Sequence, residues 1–497
     1  MSGVSPTIEV PSMHDTKDSE VISSTSLDRS AETRQSISRL DLFGISFNVI
    51  SVVPSVATVL MFSLPGGGTH GMTWAWLVCA IFVTVIALAV VQLLGASPTT
   101  AGVYNRAHSL SPSKYRSVLS WVVGYVNIIG NIASVASICW AISSHIMAVA
   151  FVGSDFVGTR AETFGVYLAV LLLQAIAHIY APADKPGVPR FFMIGNILLW
   201  AALIVALPTA SQKPLNTPKF VFGTFTNVTK AWDNNASQLS TSETLLYIMI
   251  SYPGRATATV HMADVARKPK QDIAYAVAAG TLVNAIMAIA LNVALAFSMG
   301  NNLHAILNNS HGEPVSAMLL HALGSKGTMA TYAFIILLQF NSGATMLSAT
   351  SSHASAFIHD NGLLSSADGL ARIVRLQTST AVACCSLLAS ALLGLLALAG
   401  TGAINSLFAT AVVGQLLAFI IAIISSKCGD PATKVGGGSA ISLGFLDSPI
   451  SIVAVIIMTV LSAFFLFPQN QHPSPGNVNY TALIIGTSVN GHPKRSH

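Results

Sequence analysis

The sequence predicts an all-α membrane protein, and three observations carry that reading. Charged residues make up 9% of its 497 positions and hydrophobic residues 52%, against about 25% charge in an ordinary soluble domain. Apolar runs near the ~20 residues needed to cross a ~30 Å hydrocarbon core recur along the whole chain. Lysine and arginine concentrate in alternate segments between those runs. A bilayer as solvent removes the need for a polar surface, and helices satisfy their own backbone hydrogen bonds within it.

Residues 1–40 are polar and rich in Ser, Thr, Asp and Glu. They lack the apolar core of a signal peptide and read as a disordered cytoplasmic tail. Residues 41–490 form the membrane domain, and 491–497 a short polar tail. Eleven full spans are expected near 44–64, 73–95, 118–150, 164–182, 190–208, 244–263, 273–298, 327–357, 378–399, 403–426 and 448–467. A twelfth begins at Tyr480 in NYTALIIGTSVN, but its apolar piece is about half the length a span requires.

With the N-terminus in the cytoplasm, sixteen Lys and Arg fall inside, among them Arg39, Arg106, Arg116, Lys185 and Arg190. Five fall outside: Arg160, Lys213, Lys219, Lys230 and Lys326. That asymmetry sets the orientation. The glycosylation sequons at Asn227, Asn235 and Asn308 then lie in extracytoplasmic loops, as modification requires.

The first span carries Pro54 in VVPSVAT, and the sixth carries Pro253-Gly254 in ISYPGRATATVHM. Each proline lies about halfway through its span, with five spans to a repeat. Each is followed by small or hydroxylated residues: Ser55, Ala57 and Thr58; Ala256, Thr257, Ala258 and Thr259. Proline removes a helix hydrogen bond and frees a carbonyl. Small residues let a ligand approach the backbone, and the positive end of a half-helix attracts a carboxylate. Tolerated proline kinks are the alternative. Two matched breaks favour a substrate site at a repeat interface.

Arg255 is the strongly basic residue inside a span, placed to pair with a substrate carboxylate or to bond unwound carbonyls. In this reading no Asp or Glu lies deep in a span; Glu243, Asp264 and Asp272 sit at span ends. The titratable intramembrane candidates are His145, His178, His261 and His353. A buried His commonly serves in packing; His261, one or two turns past the second break, is placed for proton coupling.

Enzyme classes find no support. There is no HExxH, Walker A or GxSxG pattern, so no catalytic residue, metal or cofactor is expected. No long basic block points to nucleic acid. The expected partners are the bilayer and a small solute.

These residues are similar to the amino acid/polyamine/organocation permease superfamily, in its fungal branch of GABA and choline permeases. The resemblance covers about Leu40 to Tyr480. It is carried by SVVPSVAT, SPTTAGVYNRAH, LSWVVGYVNIIGNIAS, VHMADVA, INSLFATAVVGQLLAF and FPQNQHPSPGNVNY. It implies two inverted five-helix repeats with broken helices 1 and 6, plus extra C-terminal helices. It also implies permease activity by alternating access, coupled to protons, toward an amino acid, GABA, choline or polyamine.

By position the resemblance nominates Pro54, Ser55, Val56, Ala57 and Thr58, with Gly254, Arg255, Ala256 and Thr257, as substrate-binding. The loop from Pro98 to Tyr104 becomes a structural feature on the cytoplasmic side. Relatives carry an aromatic and an acidic residue where this chain has Ala256 and Thr257, and two acids where it reads Ala263-Asp264-Val265. Those losses, with Arg255 gained, shift the expected solute from cationic toward zwitterionic or anionic. The plasma membrane is expected rather than the vacuole. A non-transporting nutrient receptor, or an inactive permease on the same scaffold, is the alternative.

Overall fold

The computed structural model describes residues 37–95, 102–211, 214–224, 269–308, 313–360, 379–428, 444–466 and 479–489. Those residues form helices and connecting turns. In chain order they are α1 (Arg39–Ile50), α2 (Val52–His70), α3 (Trp76–Gly95), α4 (Gly102–Leu110), α5 (Arg116–Ser154), α6 (Arg160–Tyr180) and α7 (Val188–Ala210). After them come α8 (Pro218–Gly223), α9 (Pro269–Ser298), α10 (Leu303–Leu307), α11 (Pro314–Asp360), α12 (Ser379–Gly394), α13 (Thr401–Cys428), α14 (Asp447–Leu466) and α15 (Thr481–Val489).

Local sequence sets several of these boundaries. Ser38 caps α1, its hydroxyl accepting from the Asp41 amide at 3.2 Å. Thr159 and Glu162 form a capping box on α6: the Thr159 amide donates to Glu162 Oε2 at 2.6 Å and the Glu162 amide to Thr159 Oγ1 at 3.3 Å. Two orphan amides are thereby satisfied at once. Pro189 enters α7 in its first turn, where its missing N–H costs nothing.

Among the described residues, nine helical stretches are long and apolar enough to cross a membrane. The first, Arg39–Leu93, is 55 residues long and carries the first two expected spans. It departs from helical geometry at Gly68 (φ 58°, ψ −144°) and passes through a π-turn at Gly71–Ala75. The third through fifth and seventh through eleventh expected spans each coincide with one helix. The expected sixth span, 244–263, lies outside the described residues. The short last helix, α15, has nine residues.

Large apolar side chains face outward mid-helix, including Leu172 and Leu173 on α6, Phe191 and Leu198 on α7, and Ile452 and Ile456 on α14. This is the arrangement a lipid solvent allows. The interior holds many small and hydroxylated residues. α5 is central, packing against α11 and α13, while α9 packs against α1 and α3. Gly130 of α5 and Gly414 of α13 let those helices cross in backbone contact, as small residues do between membrane helices.

One rim carries several of the ion pairs. Arg190 Nη2 reaches Asp41 Oδ2 at 3.2 Å, and Arg39 Nε lies 3.8 Å from Asp272 Oδ1. Arg39 also stacks over the Tyr275 ring, 3.9 Å from its centroid. The opposite rim is tied by backbone contacts. The Asn216 side chain donates to Ala296 O and Gly300 O at 2.8 and 3.0 Å, and Thr69 Oγ1 to Phe220 O at 2.8 Å.

Two sequence expectations are corrected. The first span is two half-helices, and the break sits at Ser51 (φ 49°, ψ 81°) rather than at Pro54. Pro54 is the third residue of α2, a position where proline starts a helix rather than breaks one. The second correction concerns the segment before the eighth span. Residues 314–323 are helical, and Gly324 (φ 69°, ψ −179°) folds them back against 325–360. Glu313, expected in an outer loop, is thereby only 5% exposed.

Candidate substrate site and a buried His–Glu pair

The α1–α2 break exposes carbonyls that lose their helical partners, and nearby hydroxyls take them up. The Ser55 hydroxyl donates to Ile50 O and Ser342 Oγ of α11 to Val49 O at 2.8 Å; inside α2, Thr58 Oγ1 adds a second bond to Pro54 O at 3.0 Å. Ser51 makes no side-chain cap, so the first amides of α2 have no acceptor within their own helix. This puts a positive helix end beside a cavity.

The cavity is lined from five helices: Ile50 of α1; Ser55 and Thr58 of α2; Ser134, Ser137 and Ile138 of α5; Gln339, Ser342 and Met346 of α11; Phe408, Val412 and Gln415 of α13. Gln415 Nε2 donates to Asn131 Oδ1 and to Ser134 Oγ, each at 3.1 Å. The lining mixes hydroxyl and amide groups with apolar walls and bears no charged side chain among its residues. It suits a small polar or zwitterionic solute.

A second cavity, about 410 Å³, opens between α2, α5, the 156–163 segment and α13. Phe62, Trp140, Met147 and Phe156 give it apolar walls, and Arg160, Asn405 and Glu313 its polar groups. Between the two cavities lies a chain of buried hydrogen bonds. Glu313 Oε1 and Oε2 lie 2.9 and 3.0 Å from His145 Nδ1. Tyr332 donates its hydroxyl to Glu313 Oε2 at 3.0 Å. His145 Nε2 lies 3.3 Å from Thr58 Oγ1, which Gln339 Nε2 also approaches at 3.4 Å. His145 is wholly buried.

Of the nominated residues, the structure brings Ser55 and Thr58 to the cavity and places Pro54 as the acceptor of the Thr58 hydroxyl. Val56 and Ala57 are packed in the hydrophobic core. Gly254, Arg255, Ala256, Thr257 and His261 lie outside the described residues, as do Asn227 and Asn235. Asn308 is exposed at the end of α10.

Residue-by-residue reading missed Ser342, Gln339 and Gln415 on the cavity and the Glu313–His145 pair. His145 was among the candidate histidines, but its partner is 168 positions away. A glutamate directly before a proline and nine apolar-leaning residues, followed by glycine, was the available signal for the folded-back segment.

A bundle of membrane-length helices, broken in its first span beside a buried polar cavity, is the scaffold of a solute transporter. Comparison with known proteins agrees. The amino acid permease family profile matches residues 37–489. An uncharacterized amino-acid permease of Schizosaccharomyces pombe is 29% identical over 471 residues, covering 92% of this chain and 83% of the relative. The GABA-specific permease of Saccharomyces cerevisiae is 25% identical, covering 92% and 80%. The solved manganese transporter of Eremococcus coleocola superposes with a TM-score of 0.54 at 10% identity, covering 97% of this chain and 94% of that one. At that identity the likeness is one of fold. The chain belongs to the amino acid permease family and is a transporter rather than an enzyme.

Proposed function

We propose that this permease carries a zwitterionic amino acid across the plasma membrane by alternating access, driven by protons. The observation that carries the reading is the helix break at Ser51. It joins a capless α2 N-terminus to a cavity lined by Ser55, Thr58, Ser134, Ser137 and Gln415. The substrate carboxylate meets the first amides of α2, and the cavity wall at Phe408 and Ile138 takes the aliphatic part. Gly254, Arg255, Ala256 and Thr257 supply the other half of the site. Arg255 favours an anionic or zwitterionic solute over a cationic one.

With the N-terminus in the cytoplasm, the rim at Arg39, Asp41 and Arg190 faces inward. The vestibule at Phe156 and Arg160 faces outward. The two expected inverted repeats would make the break at Ser51 and the one expected at Pro253 equivalent halves of one site. Uptake of radiolabelled amino acids, GABA, choline and polyamines at two external pH values tests this reading. Amino acid uptake should exceed that of choline and polyamines and rise at the lower pH. Arg255→Ala should abolish it while the protein still reaches the membrane. Near-normal uptake by that variant removes Arg255 from the site. Binding without flux favours a receptor.

A further inference from the structure

We propose that Glu313 and His145 together form the proton-binding site of this carrier, and that Thr58 reports its occupancy to the α1–α2 break. The proposal rests on the transport reading above and identifies where its driving ion sits.

The pair spans the wall between the two cavities. Glu313 lines the vestibule, so its carboxylate meets water there. Thr58 lines the central cavity. His145 joins them through its two ring nitrogens, Nδ1 at 2.9 Å from Glu313 and Nε2 at 3.3 Å from Thr58. Histidine is the side chain whose ordinary proton affinity suits exchange near neutrality.

Donor counting shows what the proton does. A threonine hydroxyl has one hydrogen to give. Pro54 O at 3.0 Å and His145 Nε2 at 3.3 Å both lie within its reach. When the pair is proton-loaded, Nε2 carries a hydrogen that Thr58 accepts, and Thr58 gives its own to Pro54 O. A proton must also lie between Nδ1 and the Glu313 carboxyl, because two bare acceptors at 2.9 Å repel each other. Tyr332 donates a further bond to Glu313.

Removing that proton leaves one hydrogen on the imidazole. Buried polar groups strongly favour partnered arrangements. The ring meets this by keeping its hydrogen on Nδ1, toward the carboxylate, and presenting Nε2 as an acceptor. Thr58 then turns its hydroxyl from Pro54 O to Nε2. Proton loss therefore withdraws the Thr58 hydroxyl from Pro54 O, which keeps the Thr58 amide as its helical partner, and turns it toward the pair beside the substrate cavity. A proton is taken from vestibule water on one side and released to water on the other. No covalent bond of the solute changes.

Two groups that titrate or carry charge face the pair from neighbouring helices: Tyr332 of α11 and Arg160 at the start of α6, which shares the vestibule. α2 and α13 present Thr58 and Asn405, which do not titrate. Tyr167 of α6 is occupied elsewhere, its hydroxyl donating to Ser390 O at 2.6 Å.

The test uses the full chain in proteoliposomes with radiolabelled alanine and GABA as probes. Wild type should concentrate at least one of them under an inward pH gradient. Glu313→Gln and His145→Gln should still exchange it in counterflow, yet lose accumulation driven by the gradient. Wild-type accumulation by both variants overturns the proposal. So does loss of gradient drive in His261→Gln alone.

Infrared titration of the protein in lipid gives a readout independent of flux. A band of the pair, carboxylic acid where the proton rests on Glu313 or imidazolium where it rests on His145, should disappear as pH rises, be lost in Glu313→Gln or His145→Gln and shift in Tyr332→Phe. A wild type without that band overturns the proposal even if the variants fail to fold. No flux of either probe by wild type defeats the alanine and GABA form of the transport reading, and the infrared result still decides the proton site.

Discussion

Gly130 and Gly414 meet backbone to backbone where α5 crosses α13. A Cβ added at Gly414 would lie 2.8 Å from the Gly130 Cα, and one at Gly130 would lie 3.0 Å from the Gln415 amide nitrogen. Both obstacles are main chain, so neither can swing aside.

Gly414→Ala should therefore force the two helices apart. Overpacking of this kind costs about 1–3 kcal/mol. The midpoint of thermal aggregation in detergent should fall, and uptake with it, because Gln415 on the cavity wall moves too. An unchanged midpoint would show that the crossing is looser than this geometry implies.

Ser51 holds a left-handed conformation (φ 49°), which costs a side-chain-bearing residue roughly 1–2 kcal/mol. Ser51→Gly should keep the fold and raise thermal stability slightly. Ser51→Val should lower it and reduce surface abundance, since a β-branched residue is strained there. Equal stability for both substitutions would argue against a fixed break at this position.

The Ser342 bond to Val49 O (2.8 Å) fastens α11 to the broken helix. Losing a partner for a buried carbonyl costs about 1–3 kcal/mol. Ser342→Ala should raise the KM for uptake while surface abundance is little changed. Wild-type kinetics would mean another group satisfies the carbonyl and the cavity does not depend on this bond.

Asn308 is exposed at the end of α10, on the rim opposite the Arg39 and Arg190 ion pairs. If that rim faces the lumen during synthesis, Asn308→Gln should remove one endoglycosidase-sensitive step in gel mobility. Lack of any such step at Asn308 in the wild type would count against the assigned orientation.

Hydropathy made most of the spans legible because lipid contact is a property of each segment alone. Leu172 and Ile452 are apolar for the same reason whatever their neighbours are. The break was legible only as a region. Pro54 pointed to it, yet the residue that breaks is Ser51, because proline marks the first turn of the half-helix that follows. Glu313 was not legible. Its burial depends on a fold-back at Gly324 that brings it against His145 and Tyr332, and no local pattern records a partner so distant. The helices α5 and α11 also exceed their hydropathy windows. At 39 residues, α5 is about 58 Å long, so its ends extend past the apolar segment that revealed it.

That length gives α5 the shape of a beam with its fulcrum near Gly130. The short arm reaches Ser120, whose hydroxyl grips Tyr104 O at 3.1 Å on one rim. The long arm carries Ser134 and Ser137 past the central cavity, and Trp140, His145 and Met147 toward the vestibule. A rotation about the glycine crossing would swing these arms in opposite directions. Substitutions far out on the beam would then alter both cavities at once, which makes α5 a difficult helix to alter one property at a time.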